Sequence, residues 1–322
     1  QLNVIEEICK KRGIELSDLN REQAWVPDNC QVLVNKSGTA PGMMFEIDGC
    51  LLFSLPGVPY EMQFLMDGVI EGILEYRKPE SIFHKSIITF GIPESSLAKQ
   101  IEEWENNLPA GVKLAYLPSP LTGVKLRLSM YGSAIENQEK VANELFAALK
   151  PVLGNAIYGE GDDTLEKVIS AYLNEENSTL SAAESCTGGK ISSMLTINEG
   201  ASRVFTGGVI AYDNRVKVDL LGVPEEIIIK HGAVSEECAA AMAEGVRKIL
   251  GTTYGIATSG IAGPGGGSEE KPVGTLCIAV SGPGFTRSKR VRLSGDRARN
   301  IDRFSSETLN FLRLCLNIEL PL

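Results

Sequence analysis

Histidine is scarce in this chain: its 322 residues include two, His84 and His231. Histidine-based triads and histidine-rich metal centres need that residue at one place, so hydrolytic chemistry is pushed towards serine, lysine or carboxylates. Paired cysteines are missing as well. Cys9, Cys30, Cys50, Cys186, Cys238, Cys277 and Cys315 are odd in number and scattered, with no C-x-x-C pair to suggest zinc or a redox couple. A reducing, cytoplasmic compartment is the expectation. No apolar run approaches the roughly 20 residues of a membrane helix, and the opening residues do not read as a secretory signal, so no membrane partner is expected. Positive charge is in deficit, 41 Asp and Glu against 31 Lys and Arg for a net charge of −10, which opposes attraction to a phosphate backbone and makes nucleic acid a poor partner. No Walker A motif, no strand-following GxGxxG and no HExxH occurs.

What is present is apolar material, 43% of the chain, enough for two or three domains that each bury a core. Over residues 1–76 the pattern predicts a helix ending at Gly13 and a hairpin of MMFEI and CLLFSL around Asp48-Gly49. A further helix is expected to open at Pro59 with Glu61 in its first turn. Residues 77–158 give the order β-α-β-β-α, and 159-GEGDDT-164 reads as a linker. From Leu165 onwards helices and strands alternate: LEKVISAYLNEE, TLSAAES, GGKISSMLTI, VFTGGVIAYD, then a helix capped by Ser235, three more strands and a closing helix. That alternation predicts an α/β domain with a largely parallel sheet, antiparallel at one edge. Ligands in such folds bind at the carboxyl ends of the strands.

Three strand-end loops are chemically loaded: 184-ESCTGG-189, 212-YDNRVK-217 and 258-TSGIAGPGGGSEEKPVG-274. Each alone also reads as an ordinary turn or cap. In the first, glycines allow close backbone approach, and the N–H groups opening the next helix could receive a phosphate or an oxyanion. Ser185 presents a hydroxyl there, and a desolvated lysine, Lys217, could serve as its base, although spacing alone favours Lys217 as a solvated surface lysine. Cys186 is the rival nucleophile, or a buried and inert thiol. The S-x-x-K matches Ser96-Lys99 and Ser268-Lys271 lack the accompanying Ser-Asp-Asn and Lys-Thr-Gly elements and read as a helix start and part of a glycine-rich loop.

Taken together, ESCTGG, FTGGVIAYDNRVK, LLGVP, HGAVSEE, SGIAGPGGGSEEKPVGT and SGDR resemble the C-terminal domain of the CinA family, the nicotinamide-nucleotide deamidases. NKSGTAPG with LPGVPYEM resembles the later half of that family's molybdopterin-binding-like domain, and GIPESSL with LAYLPSP its KH-like domain. The resemblance implies a three-layer α/β deamidase domain with a mostly parallel sheet over 159–322, a small KH-like α+β domain over 77–158 and a partial molybdopterin-binding-like α/β domain over 1–76. It implies hydrolysis of nicotinamide mononucleotide to nicotinate mononucleotide and ammonia. Ser185 would then be the nucleophile and Lys217 its base, with Tyr212 in the catalytic set and Asn214 beside it against the pyridine ring. Cys186, Thr187, Gly188, Gly189, Ser259, Gly260, Ile261, Gly263, Pro264 and Arg297 would bind the rest of the substrate or the oxyanion.

No cofactor or metal is expected for deamidation; a divalent metal would enter only with a pyrophosphatase activity of the N-terminal domain. A homodimer is implied. A nucleic-acid role is disfavoured because 79–158 contains no GxxG loop, and 260-GIAG-263 lies in the third of the loops above. The family's Gly-Asp-Glu and Gly-Gly-x-Gly-Pro-Thr motifs do not occur, so the chain reads as opening in mid-domain. Such a half-domain is expected to leave strand edges and apolar surface open, disordered or completed by another chain.

Overall fold

The computed structural model describes residues 1–77, 82–131 and 135–320. The chain forms two compact units, Gln1–Ser81 and Ile82–Leu322. The first contains α1 (Leu2–Arg12), α2 (Asp18–Glu22), β1 (Gln31–Leu33), β2 (Gly42–Ile47), β3 (Cys50–Ser54) and α3 (Pro59–Tyr76), with an antiparallel sheet in the order β1-β2-β3. Gly13 ends α1 in the left-handed conformation. Asp48 and Gly49 join β2 to β3 with φ of +51° and +77°, the pair of positive angles that a two-residue I′ turn requires. The stretches NKSGTAPG and LPGVPYEM meet: buried Asn35 donates from Nδ2 to Glu61 Oε2 at 2.7 Å and to the Ala40 carbonyl at 2.8 Å. Gly38 passes so close to the Glu61 carboxylate that a Cβ would lie 2.1 Å from it, which only glycine avoids. The exposed apolar surface expected of this segment is present on α3, where Phe64, Ile70, Ile73 and Leu74 face solvent.

The second unit opens with β4 (Ile82–Thr89), α4 (Glu94–Asn106), β5 (Val112–Ser119), β6 (Gly123–Tyr131), α5 (Ile135–Ala147), α6 (Lys150–Leu153) and β7 (Ile157–Glu160). Its four strands pair antiparallel in the order β5-β6-β4-β7. Leu97 and Ile101 of α4 and Ala142 and Phe146 of α5 pack on Ile87, Leu126 and Leu128 of the sheet. β7 runs through the start of the expected linker: Gly159 and Glu160 pair with Ile88 and Ile87. Four residues carry too little periodicity to announce a strand, and the pairing partners lie far away in sequence, Ile87 against Glu160 and Thr89 against Ile157. Ile88 and Tyr158 extend into the core of the segment that follows, against Leu165 and Ile169.

That segment contains α7 (Leu165–Glu175), β8 (Leu180–Glu184), α8 (Lys190–Thr196), β9 (Phe205–Ile210), α9 (Asn214–Asp219), α10 (Glu225–His231), α11 (Glu236–Leu250), β10 (Tyr254–Gly260), β11 (Thr275–Gly282), β12 (Phe285–Arg292) and α12 (Arg297–Cys315). The sheet order is β12-β11-β10-β8-β9. β9, β8 and β10 are parallel neighbours and β11 is antiparallel to both of its own, so one strand of five runs against the rest. Side chains alternate across the pleat. Leu180 and Ala182 join Ile169, Leu195, Leu309 and Leu312 from α7, α8 and α12 on one face, while Ala183 and Ala257 meet Ala239, Met242 and Ala243 of α11 on the other. Three layers result. Ser235 caps α11 by accepting from the Cys238 N–H at 3.2 Å.

Buried Arg313 of α12 ties its surroundings together. Its guanidinium donates to the carbonyls of Asn155 and Ile318 at 2.6 and 2.9 Å and to Asn310 Oδ1, and it lies over the Tyr158 ring. Arg313→Ala would strand those three acceptors and open a void, so we expect a loss of about 3–5 kcal/mol in unfolding free energy, read from urea titrations. A loss under about 1 kcal/mol, the size of an exposed contact, would contradict this role.

Candidate active site

The connection from β8 to β9 carries α8 on one face of the sheet, and that from β9 to β10 carries α11 on the other. Strand order therefore changes direction between β8 and β10, and the crevice beyond their carboxyl ends is where such sheets place ligands. A cavity of about 210 Å³ lies there. The turn after β8 contributes Ser185 and Cys186, the end of β10 Ser259 and Gly260, the stretch after β9 Tyr212, Asn214 and Lys217, and the start of α12 Arg297. Ala233, Val234 and Ala262 complete the wall. The three loops singled out in the sequence thus share one cavity. Thr187, Gly188, Gly189, Ile261, Gly263 and Pro264 do not line it. Neither histidine does: His84 faces Ser129 Oγ from β4, and His231, the last residue of α10, faces Glu237.

Lys217 departs most from local expectation. It sits on α9, capped by Asp213, and is 1% exposed. Its Nζ donates to the carbonyls of Ala211 at 2.8 Å and Tyr212 at 3.2 Å, and neither bond goes to Ser185. Burial holds its pKa below the ordinary lysine value, while Cys238, Asp213 and Cys186 pull the other way. Cys186 is also buried, and burial pushes its thiol up to about 12. At neutral pH that sulfur is a thiol, not the thiolate a nucleophile needs.

The helix opening at Gly189 is already occupied. Glu184 accepts from the N–H groups of Gly189, Ile191 and Ser192, so the Gly189 N–H is not free for a phosphate or an oxyanion. Thr187 turns inward, its hydroxyl 2.8 Å from that of Thr258. Within this turn, the N–H groups of Cys186 and Thr187 donate to no backbone carbonyl among the described residues.

Arg297 is likewise engaged. It donates to the Gly263 carbonyl at 2.8 Å and to Tyr212 Oη at 3.1 Å, joining two loops across the cavity mouth, where Tyr212 is exposed. Asn300 holds the same loop through the Ala262 carbonyl at 3.0 Å. Ser259 donates to the Ala233 carbonyl at 2.6 Å. Of the S-x-x-K pairs, Ser96 and Lys99 lie on α4, and Ser268 and Lys271 close a turn through the Ser268 Oγ. Among the described residues no group of three metal-binding side chains occurs, and no helix is long and apolar enough to cross a membrane.

Glu184, Ala233 and Asn300 were not anticipated as parts of this site. Glu184 stood inside a quoted motif, and the available signal was an acidic residue just ahead of a glycine-led helix.

Two families match this chain: residues 162–316 fit the CinA C-terminal domain, and 84–159 the KH domain of the damage-inducible protein CinA. A CinA-like protein of Cytophaga hutchinsonii is 42% identical over 310 residues, covering 96% of this chain and 74% of the relative. A second, from Flavobacterium psychrophilum, is 41% identical over 315 residues, covering 96% and 73%. The crystal structure of a CinA superfamily protein from Enterobacter cloacae is 34% identical and covers 48% of this chain and 95% of its own, with a TM-score of 0.46.

Proposed function

The chain belongs to the CinA family, and from that premise we propose that its C-terminal half hydrolyses the carboxamide of nicotinamide mononucleotide to give nicotinate mononucleotide and ammonia. The observation that carries this reading is Ser185 sharing one cavity with a buried lysine of lowered pKa. A serine hydroxyl attacks only once a base takes its proton, and no histidine lines the cavity to do so. A neutral amine has two N–H donors and one lone pair. The carbonyls of Ala211 and Tyr212 accept two bonds from Lys217 Nζ, which leaves the lone pair for the Ser185 proton.

In this mechanism Ser185 Oγ adds to the carboxamide carbon as its proton moves to Lys217. The oxyanion is received by the Cys186 N–H group at the cavity wall. Lys217 returns the proton to the departing nitrogen, the C–N bond breaks and ammonia leaves. Water, relieved of a proton by the same amine, adds to the acyl-enzyme and expels Ser185, giving the carboxylate. Tyr212 and Asn214 border the pyridine ring at the mouth. These steps draw on no cofactor.

Ammonia release by the purified protein from nicotinamide mononucleotide tests the reading, and a wild type that releases none sinks it. Cys186→Ala should keep turnover within about threefold of wild type, because an inert buried thiol contributes packing alone. A dead Cys186→Ala variant that is still folded would move the nucleophile one residue along.

A further inference from the structure

Glu184 ends β8, immediately before Ser185, and is 1% exposed. The rest of that strand is Leu, Ser, Ala and Ala, so a carboxylate there needs an explanation. No cation lies within ion-pair distance of it among the described residues; Lys190, the nearest in sequence, pairs with Asp302 at 2.9 Å. Four hydrogen bonds from one turn hold it instead. Oε2 accepts from the N–H of Gly189 at 2.9 Å and of Ile191 at 3.1 Å, and Oε1 from the Ser192 N–H at 2.8 Å and hydroxyl at 2.7 Å.

These bonds close a ring. The chain leaves β8 at Glu184, passes through Ser185, Cys186, Thr187 and Gly188, and returns to the carboxylate of Glu184 at Gly189. Inside it, the Gly188 N–H reaches the Ser185 carbonyl at 3.2 Å and the Lys190 N–H the Thr187 carbonyl at 3.1 Å. Gly188 and Gly189 supply φ of +60° and +98°, which other residues rarely adopt. Every donor at the start of α8 within reach of Glu184 is consumed, while the N–H groups of Cys186 and Thr187 go to no backbone carbonyl among the described residues.

We propose that Glu184 is the positioning residue of this site. It does not touch substrate. By taking the first-turn N–H groups of α8 it fixes the Ser185 turn, holding Ser185 Oγ and the Cys186 N–H group in one relation to each other. It also fills the anion position at the helix start, so that the substrate's own anion must be held elsewhere. This inference rests on Ser185 being the nucleophile of the deamidase.

The test is steady-state ammonia release by wild type, Glu184→Gln and Ser192→Ala, with thermal unfolding of each. The glutamine keeps the shape but sets an NH₂ against N–H and hydroxyl donors, so the turn loosens; Ser192→Ala removes one bond of the four. For a group that orders the transition state, kcat should fall roughly 10- to 100-fold in Glu184→Gln and by about 3- to 10-fold in Ser192→Ala, with KM held within about threefold. A purely structural role would lower the melting temperature and leave kcat of the folded fraction unchanged, and that result overturns the proposal. Should Glu184→Gln not fold, Ser192→Ala decides alone, an unchanged kcat overturning it. An inactive wild type would remove the deamidase reading and this inference with it, a failure distinct from an active wild type whose variants match it.

Discussion

Ser185→Ala is expected to lower ammonia release from nicotinamide mononucleotide by about four orders of magnitude or more, with the protein as stable as wild type. The size follows from role: removing a nucleophile leaves only binding and oxyanion stabilisation, and in serine hydrolases that residue is a small part of the whole. The unchanged stability follows from structure. Ser185 Oγ makes no hydrogen bond among the described residues, the turn being held by its backbone and by Glu184. Deleting the hydroxyl therefore strands no partner. The measurement is single-turnover and steady-state ammonia release alongside thermal unfolding. Residual activity within about a hundredfold of wild type, in folded protein, would mean that water attacks the carboxamide directly and no acyl-enzyme forms, because a bound and polarised substrate can still hydrolyse without the serine.

How much of this was legible in the sequence depends on how local each feature's cause is. The hairpin at Asp48-Gly49, the Ser235 cap and the alternation from Leu165 onwards are set by neighbours a few residues apart, and they occur where the pattern puts them. So is the gathering of three loops, because loops after parallel strands share one end of the sheet by topology. β7 was missed because four residues gain their identity from pairing with β4. Lys217 read locally as a surface lysine on a polar hexamer, and its burial comes from elsewhere. Met242 and Cys238 of α11 and Leu221 and Val223 after α9 close over this region, and the acceptors of its amine are carbonyls at the end of β9. Glu184 left only a weak signal, an acidic residue ahead of a glycine-led helix, because three of its four bonds come from backbone N–H groups, which look the same in every sequence.

On the proposed reading, the buried carboxylate of Glu184 and the buried amine of Lys217 divide the work between geometry and proton transfer. Glu184 makes only hydrogen bonds to its own turn, so its loss should leave the pH dependence of turnover in place. Two groups lining the cavity have shifted pKa values, and of these burial pushes the Cys186 thiol up, to about 12, while it brings the Lys217 amine down, so the pH dependence should belong to the amine.

Lys217→Met is accordingly expected to lower kcat by about three orders of magnitude or more, and Lys217→Arg to give no rescue, since a guanidinium stays protonated throughout the working range. In the wild type kcat/KM should rise with pH to a plateau, because the neutral amine is the active form. The inflection should fall below the ordinary lysine value of about 10.4, in the direction that burial sets. Stability carries the same signature. With its folded pKa lowered, Lys217 binds a proton more readily in the unfolded chain, so below the folded pKa its burial opposes folding in full. That opposition fades as pH rises from the folded towards the unfolded value. Lys217→Met lacks this group, and its unfolding free energy relative to wild type should therefore fall as pH is raised through that window, measured by urea titration at a series of pH values. A Lys217→Met variant with wild-type turnover would remove the lysine from the mechanism. A difference in stability that stays flat with pH would show instead that the amine is not desolvated and that the lowered pKa, on which the serine's activation depends, does not exist.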